Sequence, residues 1–153
     1  MYVNFLAAQN ESYTLISAAH LFDGEELHSD WEVLVEDNKI LAVGADLPIP
    51  NGDVRKINFS DGTLIPGMIE GHSHLLLHPY NETGWNDQVL IESHTERAIR
   101  GSIHAERTLN AGFTTVRDLG SEGAGYVDVG LKQSIEKGIK REFRARSFCE
   151  FFS

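Results

Sequence analysis

The stretch from Gly62 to His74, Gly-Thr-Leu-Ile-Pro-Gly-Met-Ile-Glu-Gly-His-Ser-His, constrains this chain more than any other. Pro66 and Gly67 punctuate its start, and the apolar Met68 and Ile69 lead toward two histidines separated by one residue. That lead-in predicts a buried strand over Met68 to His74. Side chains of a strand alternate faces with period two, so His72 and His74 should point one way and Ser73 the other. Two neutral imidazoles on one face at the C-terminal end of a strand can both reach a single ion, and imidazole suits zinc and other borderline divalent metals. As a bare tripeptide, His-x-His is better read as two polar residues capping a strand end, so the surroundings decide.

Before this stretch the chain reads as β. Tyr13 to Ala18 is rich in aromatic and β-branched residues, and Phe22-Asp23-Gly24 is a turn. Trp31 to Glu36 and Lys39 to Val43 flank Asp37-Asn38 as a hairpin. Val54 to Phe59 alternates apolar and polar residues, which predicts a half-buried strand.

After it, Leu75 to Glu92 is a long loop that holds His78, Tyr80 and Trp85. Ser93 to Leu109 reads as a helix; Ser93 and Glu96 fit a capping box, and Gly112 suits the left-handed position beyond its end. Ala98, Ile99, Ile103 and Leu109 form its expected apolar face. Arg97, Arg100, Glu106 and Arg107 fall mostly outside that face, and His94 and His104 are expected to be solvated. Phe113 to Asp118 reads as a strand, and Asp118 at its end is expected to position the following loop. Tyr126 to Lys137 reads as a second helix stopped by Gly138, and Ile139 should open the next strand. The glycine-rich turn from Gly120 to Gly125 lacks the spacing of a phosphate loop and is given no nucleotide role.

Composition narrows the partners. The net charge is −10 and no basic stripe is present, which argues against nucleic acid. No run of about 18 apolar residues occurs, so neither a transmembrane helix nor a membrane partner is expected. Cys149 is the only cysteine, so no internal disulfide can form. Met1 to Ala8 lacks a basic n-region; a cytoplasmic location is the default, with export expected only if that segment is the stub of a signal peptide. An oligomer is compatible with the sequence but not specified by it.

Two blocks carry a family resemblance. Leu64 to His74 resembles the first barrel strand of the amidohydrolase superfamily, whose pattern runs Pro-Gly-hydrophobic-Ile-Asp-x-His-x-His, with Glu70 where aspartate is usual. Ala111 to Gly120, Ala-Gly-Phe-Thr-Thr-Val-Arg-Asp-Leu-Gly, resembles the second strand of the same enzymes. The stretch from His78 to Trp85 is similar to imidazolonepropionase-like and Xaa-Pro dipeptidase-like members.

The resemblance implies an α/β fold: a small composite β-sandwich over residues 1–65, then the first two to three βα units of a TIM-like (β/α)₈ barrel over 66–139. Such a barrel takes about 250 residues, so these 153 are expected to be a truncated, N-terminal portion. The resemblance further implies a metal-dependent hydrolase of C–N bonds, with a dipeptide or other small-molecule substrate and one or two divalent ions, zinc foremost. His72 and His74 would be metal ligands, and His78, Tyr80 and Trp85 would face substrate from the loop, ordinary packing of Tyr80 and Trp85 onto the barrel rim being the equal alternative. The remaining family ligands, and the aspartate that serves as general base, would lie beyond residue 153, so no catalytic residue is assigned within the chain. The reading from a different class is a non-catalytic β/α binding or interaction module whose His-x-His is incidental. From Lys140 the character shifts, with four basic residues and four phenylalanines in the fourteen positions 140–153. That tail matches no part of the family pattern and reads as atypical, even as out of frame.

Overall fold

The computed structural model describes residues 12–139 and the backbone of residues 150–152. Met1 to Ala8 and most of the atypical tail therefore lie outside the described residues. The chain divides into two compact units between Pro66 and Gly67.

The first unit holds five strands: β1 (Tyr13–Phe22), β2 (Leu27–Ser29), β3 (Glu32–Glu36), β4 (Lys39–Gly44) and β5 (Val54–Leu64). β2 and β3 pair antiparallel with successive parts of β1, β4 completes a hairpin with β3, and β5 runs parallel to β1. Leu15 on β1 faces Leu34 on β3 in register, and both are buried. The Phe22–Gly24 turn is held by the Asp23 carboxylate, which accepts from the backbone N–H groups of Glu25 and Glu26 at 2.8 Å and from His28 Nε2 at 2.9 Å. Those backbone bonds bring its pKa down to about 2. Beyond it lies β2, which the sequence reading missed; three residues are too few to show a period. The described strands of this unit are hydrogen-bonded into one mixed sheet, with β5 on the second edge of β1.

The second unit alternates strand and helix. It runs β6 (Met68–Ser73), a π-helical turn at Asp87–Ile91, α1 (His94–Asn110), β7 (Phe113–Asp118), α2 (Val127–Glu136) and β8 (Glu150–Phe152). The strands form a parallel sheet in the order β6-β7-β8. Parallel neighbours need a crossover, and the helices supply it. The core is Leu75, Ala105 and Val116, with Leu109, Leu131 and Ile135 packed against it. Ser93 caps α1 by accepting from Glu96 N–H, and Gly112 at φ 95 and Gly138 at φ 63 follow the ends of the two helices. The third strand was expected to open at Ile139. The strand described is β8, inside the stretch read as atypical, and its Phe151 pairs with Val116 of β7.

The orientation of α1 corrects two expectations. Arg97 and Arg100 are buried, whereas Ile99 and Ile103 are exposed. Arg97, Arg100, Gly101 and Ala105 follow helical spacing and make the inward face. Gly101 permits the close approach, since a Cβ there would come within 2.6 Å of Leu76 Cδ2. The arginines face inward because loops at the strand ends leave carbonyls without partners, and a guanidinium offers five donors to them. Arg97 donates to the carbonyls of Ser121 and Glu122, and Arg100 to that of Leu76. His104, expected to be solvated, is half-buried with Nδ1 3.0 Å from the Leu75 carbonyl, while His94 is exposed.

Candidate functional site

The C-terminal ends of β6 and β7 and the loops leaving them bring the chemistry-bearing residues of the second unit together. β6 ends at Ser73, so His72 is its penultimate residue and His74 lies one past it. The pairing with β7 is irregular between Glu70 and Ser73, and strict alternation therefore does not extend through the pair. The two rings nonetheless stand edge to face with centroids 5.4 Å apart. Two imidazoles bound to one zinc through nitrogens at 2.0–2.1 Å, at a tetrahedral angle, would have centroids about 5 Å apart.

The tautomer of His74 follows from its partner. Nδ1 lies 3.1 Å from the Gly120 carbonyl oxygen, which can only accept, so Nδ1 carries a proton, and it is Nε2 whose lone pair the neutral ring offers. This is the arrangement by which metal-binding histidines are oriented from behind. His72 is anchored through its backbone N–H, which donates to Glu70 Oε1 at 2.9 Å. The pair thus fits a divalent ion as two ligands of a larger set. Among the described residues no group of three or more His, Cys, Asp or Glu side chains converges as a metal cluster.

Asp118 fixes the frame. Its carboxylate is buried and accepts from Leu75 N–H at 2.9 Å and Gly120 N–H at 3.1 Å, so it ties the segment after β6 to the segment after β7. Burial raises its pKa above the ordinary 3.8, against the pull of those two N–H groups. Leu119 N–H continues the seam by donating to the Ser73 carbonyl at 3.0 Å. Burial also pushes the His104 imidazole below its ordinary 6.5.

The three residues expected to face substrate are distributed over the loop between β6 and α1. His78 and Tyr80 line a cavity of about 440 Å³ with His74, His104 and Arg107. His78 is 3.8 Å from Glu82 and 3.9 Å from Glu92, both carboxylate oxygens. Trp85 is turned instead toward the loop after β7, where its Nε1–H donates to Glu122.

The sequence reading missed three residues here. Glu122 sits in a turn judged only for phosphate binding. Gln88 is fully buried and braces the loop, its amide donating to the carbonyls of Thr83 at 2.6 Å and His78 at 3.2 Å. Arg97 was placed on the solvent side of its helix. The available signal was a Gln and an Arg amid apolar residues, which alone does not indicate burial.

The chain is 31% identical to a dihydroorotase of Syntrophotalea carbinolica over 120 residues, 73% of this chain and 27% of that protein. A solved Xaa-Pro dipeptidase with methionine bound in its active site superposes with a TM-score of 0.71 and 26% identity, over 92% of this chain and 33% of that one. The chain belongs to the amidohydrolase superfamily. A further solved amidohydrolase superposes with a TM-score of 0.67 at 29% identity, over 84% of this chain and 29% of its own. No family model matches. This amidohydrolase relative spans about a third or less of the length of each of these proteins. No helix among its described residues is long and apolar enough to cross a membrane.

Proposed function

We propose that this chain supplies the opening strands of a metal-dependent hydrolase of carbon–nitrogen bonds, acting on a dipeptide or a cyclic amide. On this reading β6, β7 and β8 are the first three strands of a TIM-like (β/α)₈ barrel, and the first unit is part of a composite β domain. The observation that carries the proposal is the His72–His74 pair, with rings 5.4 Å apart and His74 Nδ1 committed to Gly120. The likeness to a dipeptidase structure and to a dihydroorotase supports the substrate classes.

The donor set suits zinc. One or two divalent ions held there would supply a water that ionises near neutrality and would polarise a carbonyl. His72 and His74 bind through ring nitrogens. Gly120 and Asp118 hold the second of them in orientation, and the loop bearing His78, Tyr80 and Trp85 covers the approach. The general base comes from outside these residues. Two imidazoles fall short of the three protein ligands that catalytic zinc keeps, so the 153-residue chain should bind zinc weakly and hydrolyse no amide above background.

The test is zinc calorimetry on the chain with a dipeptide and cyclic-amide panel alongside. His72→Ala and His74→Ala should each lower the zinc affinity. Unchanged binding in both variants would remove the ligand assignment. Zinc-dependent turnover by the chain itself, lost in His72→Ala, would show that a complete site lies within it and would refute the incomplete-site reading.

A further inference from the structure

We propose that Glu122 is a positioning residue, a latch that fastens the loop between β6 and α1 to the back of the His74 ring. Its carboxylate gathers three groups. Trp85 Nε1–H donates to Oε2, Tyr80 O–H reaches Oε1 at a long 3.5 Å, and Oε1 stands 3.7 Å from His74 Nδ1. The indole is the main tie, because a neutral donor to a carboxylate makes a charge-assisted bond and the tyrosine contact is near the limit of one.

The backbone around Glu122 is built to present this side chain. Glu122 is one of four described non-glycine residues with positive φ, at 43°, in a turn where Gly120, Gly123 and Gly125 also take positive φ. A side chain in that region costs energy that glycine would not, so an outlier held there points to a role for the side chain. Arg97, fully buried, holds the strained turn by donating to the carbonyls of Ser121 and Glu122. Gly123 makes room for the loop to dock, since a Cβ there would meet Val89 Cγ1 at 3.0 Å. On the other side the loop is braced within itself by Gln88 and tied to α1 by Arg100, and Glu122 fastens its Tyr80–Trp85 side to the turn after β7.

The identity of the ion behind this coupling rests on the function proposed above; the latch itself does not. The chain has two tryptophans, Trp31 and Trp85, so Trp31→Phe leaves the Trp85 indole as the sole reporter. In that background, exchange of the indole N–H with solvent is followed by NMR. Glu122→Ala should speed it by about tenfold or more, the loss of one charge-assisted bond, while Glu122→Gln, which keeps an acceptor, should speed it only a few-fold. Zinc should slow exchange in the Glu122 protein and leave it unchanged in Glu122→Ala, since coupling between two sites is reciprocal. A merely structural carboxylate would not produce that zinc response. If Glu122→Ala does not fold, Glu122→Gln carries the exchange arm. Exchange unaffected by either substitution overturns the latch, and zinc that binds the two histidines yet leaves exchange unchanged overturns its link to His74. Zinc that fails to bind at all defeats the metal reading instead, and the latch then stands or falls on the exchange arm.

Discussion

Asp118 offers the sharpest test of how the strand ends are held. Its carboxylate accepts from Leu75 N–H at 2.9 Å and Gly120 N–H at 3.1 Å, and it is only 7% exposed. Replacing it by alanine orphans both N–H groups in a buried place, and each costs about 1–3 kcal/mol, so the expected loss is roughly 2–6 kcal/mol. Asp118→Asn keeps one carbonyl-type oxygen and turns an NH₂ toward the second N–H. One donor is orphaned, at about 1–3 kcal/mol. The asparagine is the milder change for a second reason. Burial raises the folded pKa of Asp118, so the ionised form gains less from its two donors than it loses in desolvation.

The sign with pH follows. An acid whose folded pKa lies above its unfolded value of 3.8 loses stability as pH rises through the window from 3.8 up to the folded value, and is flat above it. Asparagine has no such term. The cost of Asp118→Asn relative to the parent should therefore be largest in acid and smaller near neutrality. Urea unfolding at a series of pH values, with hydrogen exchange of the Leu75 and Gly120 amides as the local readout, measures both effects. An Asp118→Ala protein within about 0.5 kcal/mol of the parent, with those amides still protected, would refute the clamp.

Two further substitutions follow from the same frame. Gly67→Ala should destabilise the second unit by about 1–3 kcal/mol, because its Cβ would fall 2.1 Å from Thr114 Oγ1 and 2.7 Å from Thr114 Cβ; thermal melts should show Thr114→Gly restoring much of the loss. His104 has its folded pKa pushed below 6.5 by burial, so the unfolded chain takes up its proton first and stability is lost as pH falls below 6.5; His104→Gln should flatten that part of the melting-temperature profile.

What was legible in the sequence depended on whether the signal was periodic or punctuated. Ser93, Gly112 and Gly138 mark helix ends through capping and left-handed backbone, and both helices lie within a residue or so of where those marks put them. The strands of the hairpin and β6 and β7 were readable from β-branched runs and from Pro66-Gly67, but the burial expected for β6 was not found, since its Met68 and Ile69 are exposed. The inward face of α1 was not. Its apolar residues Ile99 and Ile103 suggested one side, but Gly101 and Ala105 let the backbone approach Leu76 on another, and small residues carry little weight in a hydrophobic pattern. β8 was hidden because fourteen residues of mixed basic and aromatic character show no alternation. The sandwich was inferred from resemblance alone, and the parallel pairing of β5 with β1, which joins residues some forty positions apart, has no local signal in the sequence.

Apart from Glu122, the residues that position the site share a property that explains their invisibility. Asp118 binds the N–H groups of Leu75 and Gly120, Gln88 the carbonyls of His78 and Thr83, Arg97 those of Ser121 and Glu122, and His104 that of Leu75. Every one of these partners is backbone, and a backbone group leaves no trace in the residue that bears it. A histidine pair such as His72 and His74 can be read as a motif because both members are side chains of fixed spacing. A carboxylate that clamps two amides has only its own letter, and that letter is compatible with a solvated surface. The consequence is physical as well as practical. Bonds to backbone tolerate change in the partner's side chain, so the loops after β6 and β7 can vary in their exposed residues while the ring of His74 stays fixed behind Gly120. In such a site the chemistry-bearing motif is local in sequence, while the main chain behind it is held by buried polar side chains from other elements.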